Sequence, residues 1–187
     1  MSKTATFLAD GFEEIEGLTV VDILRRAGVE NTTVSIMGRR EIHGSHQITV
    51  MADALLEEMD FADYDMLILP GGTRGKENLE ACDALMHLLD TFYAEGKWVC
   101  AICASPSIFG HRGYLKGRKA CVYPGFESEL TGAEVMMTEA VIDGNVITGA
   151  GMGCSTAFAL AIVEAYMGAD MAETLAERVI YGKRPVR

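Results

Sequence analysis

Short apolar runs alternate with longer amphipathic stretches along most of the chain. Apolar runs of five or six residues, rich in Val, Ile and Leu, are typical of strands buried in a parallel sheet. Stretches in which apolar residues recur every three or four positions indicate helices that pack one face on a core. We predict strands over residues 4–9, 31–37, 47–51, 64–69, 98–102, 120–123, 134–142 and 145–148. We predict helices over residues 15–27, 81–95, 155–167 and 171–180, and one more that begins at Pro106.

No linker, repeat or low-complexity tract interrupts this alternation, which predicts a single α/β domain over residues 1–187. Alternating strands and helices build a mostly parallel sheet with helices on both faces, a three-layer sandwich. Ligand sites in such sheets lie outside the carboxyl ends of the strands. The connection at Asp10, the turn at 70–72, Cys103 and the segment 149–153 are therefore expected to meet at one edge of the sheet.

Cys103 lies at the junction between the predicted strand over residues 98–102 and the helix that begins at Pro106. Proline suits the first turn of a helix, and Ser105 is a candidate N-cap residue. A sharp turn here would place the sulfur over a helix N-terminus, where the thiolate form is favoured. We predict that Cys103 is a reactive nucleophile; the alternative is an inert cysteine of the core.

A candidate acid partner for this thiol is Glu16. It shares a helical stripe with the apolar residues Val20 and Ile23, so we expect its side chain to turn inward. Burial raises the pKa of a carboxyl group, which could then carry a proton at neutral pH or donate a hydrogen bond to a thiolate. Glu13 and Glu14 are instead expected on the solvated first turn, where acids complement the helix dipole.

Two glycine-containing segments are candidates for close approach to a ligand. Gly71 and Gly72 follow a buried strand and could direct backbone N–H groups at a developing oxyanion; the alternative is an ordinary turn. The segment 149–153 precedes a helix, but its glycines do not follow the G-x-G-x-x-G spacing, so we do not predict dinucleotide binding.

Cys100 and Cys103 form a C-x-x-C pair, for which we do not predict a redox function. Three extended residues separate two Cα atoms by roughly 10 Å, whereas a disulfide requires about 7 Å or less. No second pair of this kind and no spaced histidine pair follows, so we expect no structural zinc site. None of the four histidines adjoins Cys103 in sequence as an evident general base.

Composition and charge argue against nucleic-acid binding, membrane binding and secretion. The 187 residues are 49% apolar and carry a formal net charge of −11, which disfavours binding to nucleic acid and to anionic membranes. The first apolar stretch is interrupted at Asp10, so we expect no secretion signal, and no stretch is long enough to span a bilayer. An odd number of cysteines, five, then favours reduced thiols and a cytoplasmic location.

Several motifs together resemble the ThiJ/PfpI superfamily, in the branch of the Parkinson-disease protein deglycase and the bacterial YajL-type proteins. The resemblance covers nearly the whole chain. It rests on the segments 10–16 (DGFEEIE), 25–28 (RRAG), 69–72 (LPGG), 101–104 (AICA) and 159–164 (ALAIVE). It implies a flavodoxin-like fold with a nucleophile-elbow cysteine, and a homodimer.

The resemblance also implies roles for single residues. By resemblance, Cys103 is the reactive and oxidisable cysteine, Glu16 is the acid that hydrogen-bonds it, and Gly72 supplies a backbone donor. No cofactor and no metal is implied. The residues implied to form a pocket for the substrate or an anion are Gly71, Ala104, Arg26, His46, Tyr123 and Gly151.

Three positions depart from the pattern of the relatives. Ala104 follows the cysteine where the protease-like branch has a histidine, so we do not expect peptidase activity. Tyr123 precedes Pro124 where the human relative has a histidine, which removes a candidate base. His46 takes the place of an arginine that relatives supply from the partner subunit, so the anion pocket would be weaker or dependent on pH.

The leading hypothesis is a cysteine-dependent glyoxalase or deglycase that acts on methylglyoxal or glycated groups. Cys103 would add to an aldehyde, Glu16 would move protons, and the Gly72 N–H would stabilise the oxyanion. The alternative is a non-enzymatic peroxide sensor or redox-regulated chaperone with Cys103 oxidised to a sulfinate, which the missing histidine favours. An amidotransferase-like hydrolase is third, since its base is missing. No residue argues for thiamine biosynthesis, a label the family often carries.

Overall fold

A seven-stranded sheet forms the centre of the fold in the computed structural model, which describes residues 3–182. The strands are β1 (Lys3–Leu8), β2 (Glu30–Ser35), β3 (Glu41–His43), β4 (Thr49–Met51), β5 (Ala54–Leu55), β6 (Tyr64–Leu69), β7 (Trp98–Ile102), β8 (Lys119–Ala120), β9 (Glu134–Val135), β10 (Ala140–Asp143) and β11 (Val146–Gly149). The helices are α1 (Glu14–Arg26), α2 (Thr73–Glu80), α3 (Asp83–Ala94), α4 (Pro106–His111), α5 (Ser155–Met167) and α6 (Ala169–Arg178).

The order of strands in the central sheet is β10-β11-β7-β6-β1-β2-β5. Every neighbouring pair is parallel except the β10–β11 hairpin at one edge. The five strands from β2 to β11 follow the 2-1-3-4-5 order of flavodoxin-like sheets, whose ligand sites lie beyond the carboxyl ends. The predicted fold class is therefore confirmed.

Helices cover the sheet on both faces and form the outer two layers. The apolar side chains of α2, α3 and α4 pack on one face, and those of α1, α5 and α6 pack on the other. Phe92 of α3 is 2% exposed and Phe158 of α5 is fully buried. Burial of one such side chain contributes roughly 1.5–3 kcal/mol, so each layer is firmly held to the sheet. No helix within residues 3–182 is long and apolar enough to cross a membrane.

The predicted elements differ from the observed ones where segments are short and polar. The predicted connection 38–46 contains β3, which pairs with β4 in a separate antiparallel hairpin. The predicted helix 81–95 is preceded by a separate helix, α2, and the two are divided at the extended residue Cys82. The predicted strand 134–142 is split into β9 and β10, and the predicted strand 120–123 is reduced to β8. Elements of two or three residues carry too few apolar positions to show a period.

Candidate active site

Cys103 follows the end of β7 and adopts a left-handed backbone conformation with φ of +64°. Such a conformation is unfavourable for a residue with a side chain, so the surrounding structure must hold it in place. Its N–H donates to the carbonyl of Gly149 (2.9 Å), and its carbonyl accepts from the N–H of Tyr123 (2.9 Å). Cys103 therefore lies on a strained strand-to-helix turn, as the predicted nucleophile elbow requires.

Ser105 occupies the N-cap position of α4, as predicted, but its side chain makes no capping hydrogen bond. Its side chain is fully buried, and its hydroxyl donates to the carbonyl of Pro70 at 2.6 Å. The bond connects the turn after β7 to the end of β6, beside Gly71 and Gly72. Pro106 is the first residue of α4, as predicted.

Glu16 lies on the first turn of α1 and is fully buried, as its helical stripe predicts. Its Oε2 accepts a hydrogen bond from the backbone N–H of Gly71 at 2.8 Å. Its Oε1 has no hydrogen bond of normal geometry to any described residue. Oε1 is therefore available to the Cys103 sulfur and to a bound ligand.

Gly71 is the point at which the acid and the thiol converge. A Cβ atom at this position would lie 2.5 Å from the Cβ of Cys103 and 2.5 Å from Oε2 of Glu16. No side chain fits in that space, so glycine is required by close packing. Next to it, the backbone N–H groups of Gly72 and Ala104 act on the Cys103 sulfur and lower the pKa of the thiol.

Burial controls the protonation of this pair. Burial raises the pKa of Glu16 to about 7, and the bonds from Cys103 and Gly71 offset part of that effect. Burial together with the charge of Glu16 raises the pKa of Cys103 to about 12, although the Gly72 and Ala104 N–H groups act in the opposite direction. The N–H groups at the turn thus act toward the thiolate, as expected, but burial and the charge of Glu16 outweigh them.

The two groups are in contact and titrate as a pair. The pair releases one proton near neutral pH and retains the other into alkaline pH. The retained proton can lie on the sulfur or on the carboxyl group, and the total charge is the same in both cases. A thiolate at neutral pH therefore exists with Glu16 protonated beside it.

A cavity of about 680 Å³ opens above the Cys103 sulfur. Seven of the residues predicted for the site lie in its wall, namely Cys103, Glu16, Gly72, Ala104, His46, Tyr123 and Gly151. The Tyr123 ring is 49% exposed, and its Cδ2 would lie 3.1 Å from a Cβ atom at Gly151. The small residue at 151 thus makes room for the tyrosine ring at the cavity wall.

Arg26 does not line the cavity of its own chain, and its predicted place in the anion pocket stays a prediction. Its guanidinium pairs with Asp22 one turn earlier on the solvated side of α1, and it lines a different depression beside Ile180. The inward stripe of α1 begins at Glu16, and position 26 does not fall on it.

Glu14 is buried as well, contrary to the expectation of a solvated first-turn acid. Its Oε1 accepts from the backbone N–H groups of His46 (2.7 Å) and Ile48 (3.4 Å). Its Oε2 lies 3.1 Å from the Ser45 hydroxyl and 3.1 Å from Nδ1 of His46. Burial would raise the pKa of Glu14, but these donors and its own backbone N–H lower it to about 2. No local pattern could reveal this, because the donors lie thirty residues away.

His46 lies at the cavity mouth, held by the hydrogen bonds of its backbone N–H and its Nδ1 to Glu14. The hydrogen bond to Glu14 and the charge of Glu13 raise the pKa of its imidazole. The ligand atoms of Glu13, Glu14 and His46 lie within 4.8 Å of one another, so their chemistry would suit a cation. Ser45 and the imidazole already hydrogen-bond the two carboxylates, which accounts for the cluster without a metal.

Residues 2–165 match the DJ-1/PfpI family. A Parkinson disease protein 7 homolog from Danio rerio is 34% identical over 174 residues, which are 91% of this chain and 92% of that protein. A protein from Pyrococcus abyssi named a deglycase is 34% identical over 142 residues, 75% of this chain and 84% of that one. Protein DJ-1 homolog B from Arabidopsis thaliana is 37% identical over 164 residues, 87% of this chain and 37% of the plant protein. The chain thus spans less than half the length of its Arabidopsis relatives.

Solved structures show the same fold. A cysteine-to-alanine mutant of a DJ-1 superfamily protein from Salmonella typhimurium superposes with a TM-score of 0.92 at 33% identity, covering 98% of this chain and 100% of that one. Oxidized DJ-1 from Toxoplasma gondii superposes with a TM-score of 0.93 at 30% identity and the same coverage. The family match, the relatives and the fold agree, and we conclude that this chain belongs to the DJ-1/PfpI family.

Proposed function

We propose that this protein is a cysteine-dependent glyoxalase or deglycase that protects against reactive carbonyls, with methylglyoxal or glycated groups as substrates. The observation that carries the proposal is the buried pair of Cys103 and Glu16, which holds one shared proton beneath a cavity and faces the N–H groups of Gly72 and Ala104. The deglycase name of the Pyrococcus relative supports the same class of reaction.

The first step is addition of the thiol to an aldehyde. The Cys103 sulfur forms a bond to the aldehyde carbon, and the carbonyl π electrons move to oxygen. The backbone N–H of Gly72 stabilises the negative charge that develops there. Glu16, protonated when the sulfur is a thiolate, supplies the proton that completes the hemithioacetal.

The second step is an internal proton transfer. The Glu16 carboxylate removes the proton from the carbon bonded to sulfur and returns it to the neighbouring carbonyl carbon of methylglyoxal. The hydroxyl proton of the first carbon passes to the oxygen of the second, so that the C=O bond moves to the carbon bonded to sulfur. This isomerisation gives a thioester of lactate, which water hydrolyses to lactate and the free thiol. An acid with a pKa near 7 can both accept and donate a proton at neutral pH, which the transfer requires. No cofactor or metal takes part in this scheme.

The test is steady-state formation of lactate from methylglyoxal. We expect Cys103→Ser to abolish turnover, because the hydroxyl is a far weaker nucleophile than the thiolate. Cys82→Ser is the matched control, since Cys82 lies in a separate depression with Met59 and Phe61. Equal turnover by wild type and Cys103→Ser would refute the proposal.

A second candidate function is non-enzymatic sensing of peroxide through oxidation of Cys103 to a sulfinate, including a redox-regulated chaperone activity. The observation that favours it is the contact between the buried Glu16 carboxyl group and the Cys103 thiol, because a protonated carboxyl group can hydrogen-bond the oxygen of an oxidised cysteine. Peptide mapping after mild peroxide treatment tests it, with oxygen addition expected at Cys103 and none at the buried Cys100.

We also propose that the protein is a homodimer through α1 and β4. Ile15, Leu18, Ile48 and Met51 are 49%, 39%, 53% and 65% exposed. The bond from the Ile48 N–H to Glu14 joins the two elements, so these apolar side chains share one surface. Light scattering should give a dimer for wild type and a monomer for Leu18→Glu. A monomeric wild type at micromolar concentration would contradict the proposal.

A further inference from the structure

A second thiol, Cys154, lies in the wall of the Cys103 cavity. It is partly exposed and ends the short 3-10 turn Met152–Cys154 that precedes α5. No step of the carbonyl reaction uses it. Two thiols in one cavity, one of them on a nucleophile elbow, suggest chemistry that involves both sulfurs.

The sheet topology explains why these two cysteines share a cavity. β7 and β11 are neighbouring parallel strands, and Ile102 pairs with Gly149 at their carboxyl ends. Cys103 follows directly and donates its N–H to the Gly149 carbonyl. The chain after β11 turns back, with the N–H of Cys154 bonded to the carbonyl of Gly151 at 2.8 Å. Both thiols therefore lie beyond the same edge of the sheet.

The segment between the strand and Cys154 leaves room for movement. It contains Gly151 and Gly153, and no heavy atom lies within 4 Å of a Cβ atom placed at Gly153. A disulfide requires Cα atoms about 7 Å apart or less. A glycine-containing turn with open space around it can adjust to meet that requirement at small cost.

Electrostatics connects Cys154 to the same acid that contacts Cys103. Burial, followed by the charges of Glu139 and Glu16, raises the pKa of Cys154. The Cys154 thiol thus keeps its proton until a base accepts it. Glu16, with a pKa of about 7, is the nearby group that can do so at neutral pH.

The remaining cysteines do not meet these conditions. Cys100 and Cys121 are fully buried. Cys154 lies near enough to Cys121 to raise its pKa beyond the effect of burial, but the Cys121 sulfur lies 3.3 Å from the carbonyl of Thr148 and does not line the cavity. Cys82 is partly exposed but lines a separate depression on the other helical layer. Among the five cysteines, only Cys154 shares the cavity wall with Cys103.

We propose that Cys154 is the resolving thiol for Cys103, so that peroxide converts the two into a reversible disulfide. This rests on the peroxide reactivity proposed for Cys103. In the first step the Cys103 sulfur bonds to one peroxide oxygen, the O–O bond breaks, and the other oxygen leaves as water with a proton from Glu16. The products are a sulfenic acid and water.

In the second step the Cys154 sulfur attacks the Cys103 sulfur. The S–S bond forms, the S–O bond breaks, and the hydroxyl group leaves as water with the proton of Cys154. The two thiols together give two electrons to one peroxide, and two waters are formed. An external dithiol restores both thiols by exchange. Disulfide formation in this way competes with irreversible oxidation of Cys103 to the sulfinic acid.

The test is treatment with a small excess of hydrogen peroxide, because conversion of a thiol to a sulfinic acid consumes two peroxide molecules, followed by alkylation and peptide mass mapping without reduction. Wild type should yield a linked peptide containing Cys103 and Cys154, and dithiothreitol should release it. Cys154→Ser should lose the linked peptide and convert Cys103 to sulfinate, whereas the control Cys82→Ser should behave as wild type. The wild-type map decides alone if the variant does not fold.

Two outcomes would overturn the proposal, and they are distinguishable. Sulfinate at Cys103 in equal yield in wild type and Cys154→Ser, with no linked peptide, would refute the resolving role and leave the peroxide reactivity of Cys103 intact. An unmodified Cys103 in both proteins would refute both. Lactate formation by the reduced enzyme is independent of either result.

Discussion

Glu14 and Glu16 are two positions apart on the first turn of α1, and both are buried. Relative to the ordinary pKa of a glutamate, that of Glu14 is lowered and that of Glu16 is raised. The pKa of Glu14 is about 2, and that of Glu16 is about 7. Burial raises both. Depth and donors both differ. Glu14 lies close to the surface and accepts bonds from the 44–48 segment on both oxygens. Glu16 lies deep in the protein, where the Gly71 N–H and the Cys103 thiol offset only part of the effect of burial.

This difference teaches that depth and hydrogen-bond donors together decide what a buried acid can do. Glu14 is satisfied, stays ionised and fixes the segment that carries His46. Glu16 is buried with one carboxylate oxygen that lacks a hydrogen-bond donor. Such an arrangement lowers stability and is typical of groups that transfer protons at active sites. The fold thus separates a structural acid from a proton carrier within one helical turn.

The largest expected effect comes from replacing each acid by its amide. Glu16→Gln should lower turnover of methylglyoxal by about 10²–10⁴-fold, the usual contribution of a positioned acid-base group. The amide oxygen can still accept from Gly71, so the structure should persist. Glu14→Gln should change turnover little, because the carboxylate does not face the reacting atoms. Lactate formation and circular dichroism measure both effects.

Glu14→Gln should instead lower the free energy of unfolding, by about 1–3 kcal/mol, since an amide cannot accept all the bonds that the carboxylate accepts. Urea unfolding of both variants checks this. If the two variants lost turnover equally, or if Glu16→Gln were the less stable protein, the separation of roles between the two acids would be wrong.

The pH dependence of stability should have opposite signs at the two acids. Glu14 has a folded pKa below its ordinary 4.5, so its stabilising contribution is present above that value and is lost as the pH falls toward 2. Glu16 has a folded pKa above 4.5, so its contribution declines as the pH rises from 4.5 to 7 and is level beyond. The decline should not exceed about 3 kcal/mol, from 1.36 kcal/mol per unit.

Urea unfolding at a series of pH values measures these slopes as differences between wild type and each amide variant. The free energy of unfolding of wild type minus that of Glu16→Gln should fall as the pH rises toward 7. The free energy of unfolding of wild type minus that of Glu14→Gln should rise with pH in the acid range. The Glu14 effect should be the smaller, because His46 among its donors is 70% exposed. Parallel slopes would show that burial alone sets both values.

The same two acids show how far the sequence predicts this molecule. The inward turn of Glu16 follows from its stripe with Val20 and Ile23, because helical period is a local property. The burial of Glu14 does not, since its donors come from residues 44–48, and the β3–β4 hairpin that precedes them is too short for a recognisable pattern. Long-range contacts of this kind leave no periodic signal.

At Cys103, too, the local sequence predicts the backbone turn but not the protonation of the thiol. The apolar run before it and Pro106 after it predict the elbow, and the structure confirms the turn. The raised pKa of Cys103 could not be predicted, because it depends on how deeply the sulfur is buried and on contact with Glu16. The position of Arg26 away from the cavity of its own chain does not follow from the resemblance, which does not say which side of α1 faces the site.

Tyr123→His tests the role of Glu16 as proton carrier, because it adds a second titratable group to the wall of the cavity that Glu16 lines. Imidazole accepts a proton at neutral pH, and position 123 lines the cavity. We expect a gain in lactate formation of about tenfold, below the usual range because nothing orients the new ring. In the Tyr123→His background, Glu16→Gln should lower the rate of lactate formation by less than it does in the wild-type background. An unchanged rate would show that Glu16 suffices as the base.

The smallest effect is expected at Glu13, the third acid of this segment. Its charge raises the pKa of Glu16, and it lies at the cavity mouth without touching the sulfur. Glu13→Gln should therefore lower the pKa of Glu16 and move the acid limb of the lactate-formation profile to lower pH by a fraction of a unit, with little change in the maximal rate. A profile of kcat/KM against pH measures this in the free enzyme. A shift to higher pH would mean that Glu13 acts on Glu16 through position and not through charge. A large fall in the maximal rate would make Glu13, and not Glu16, the group that carries the proton.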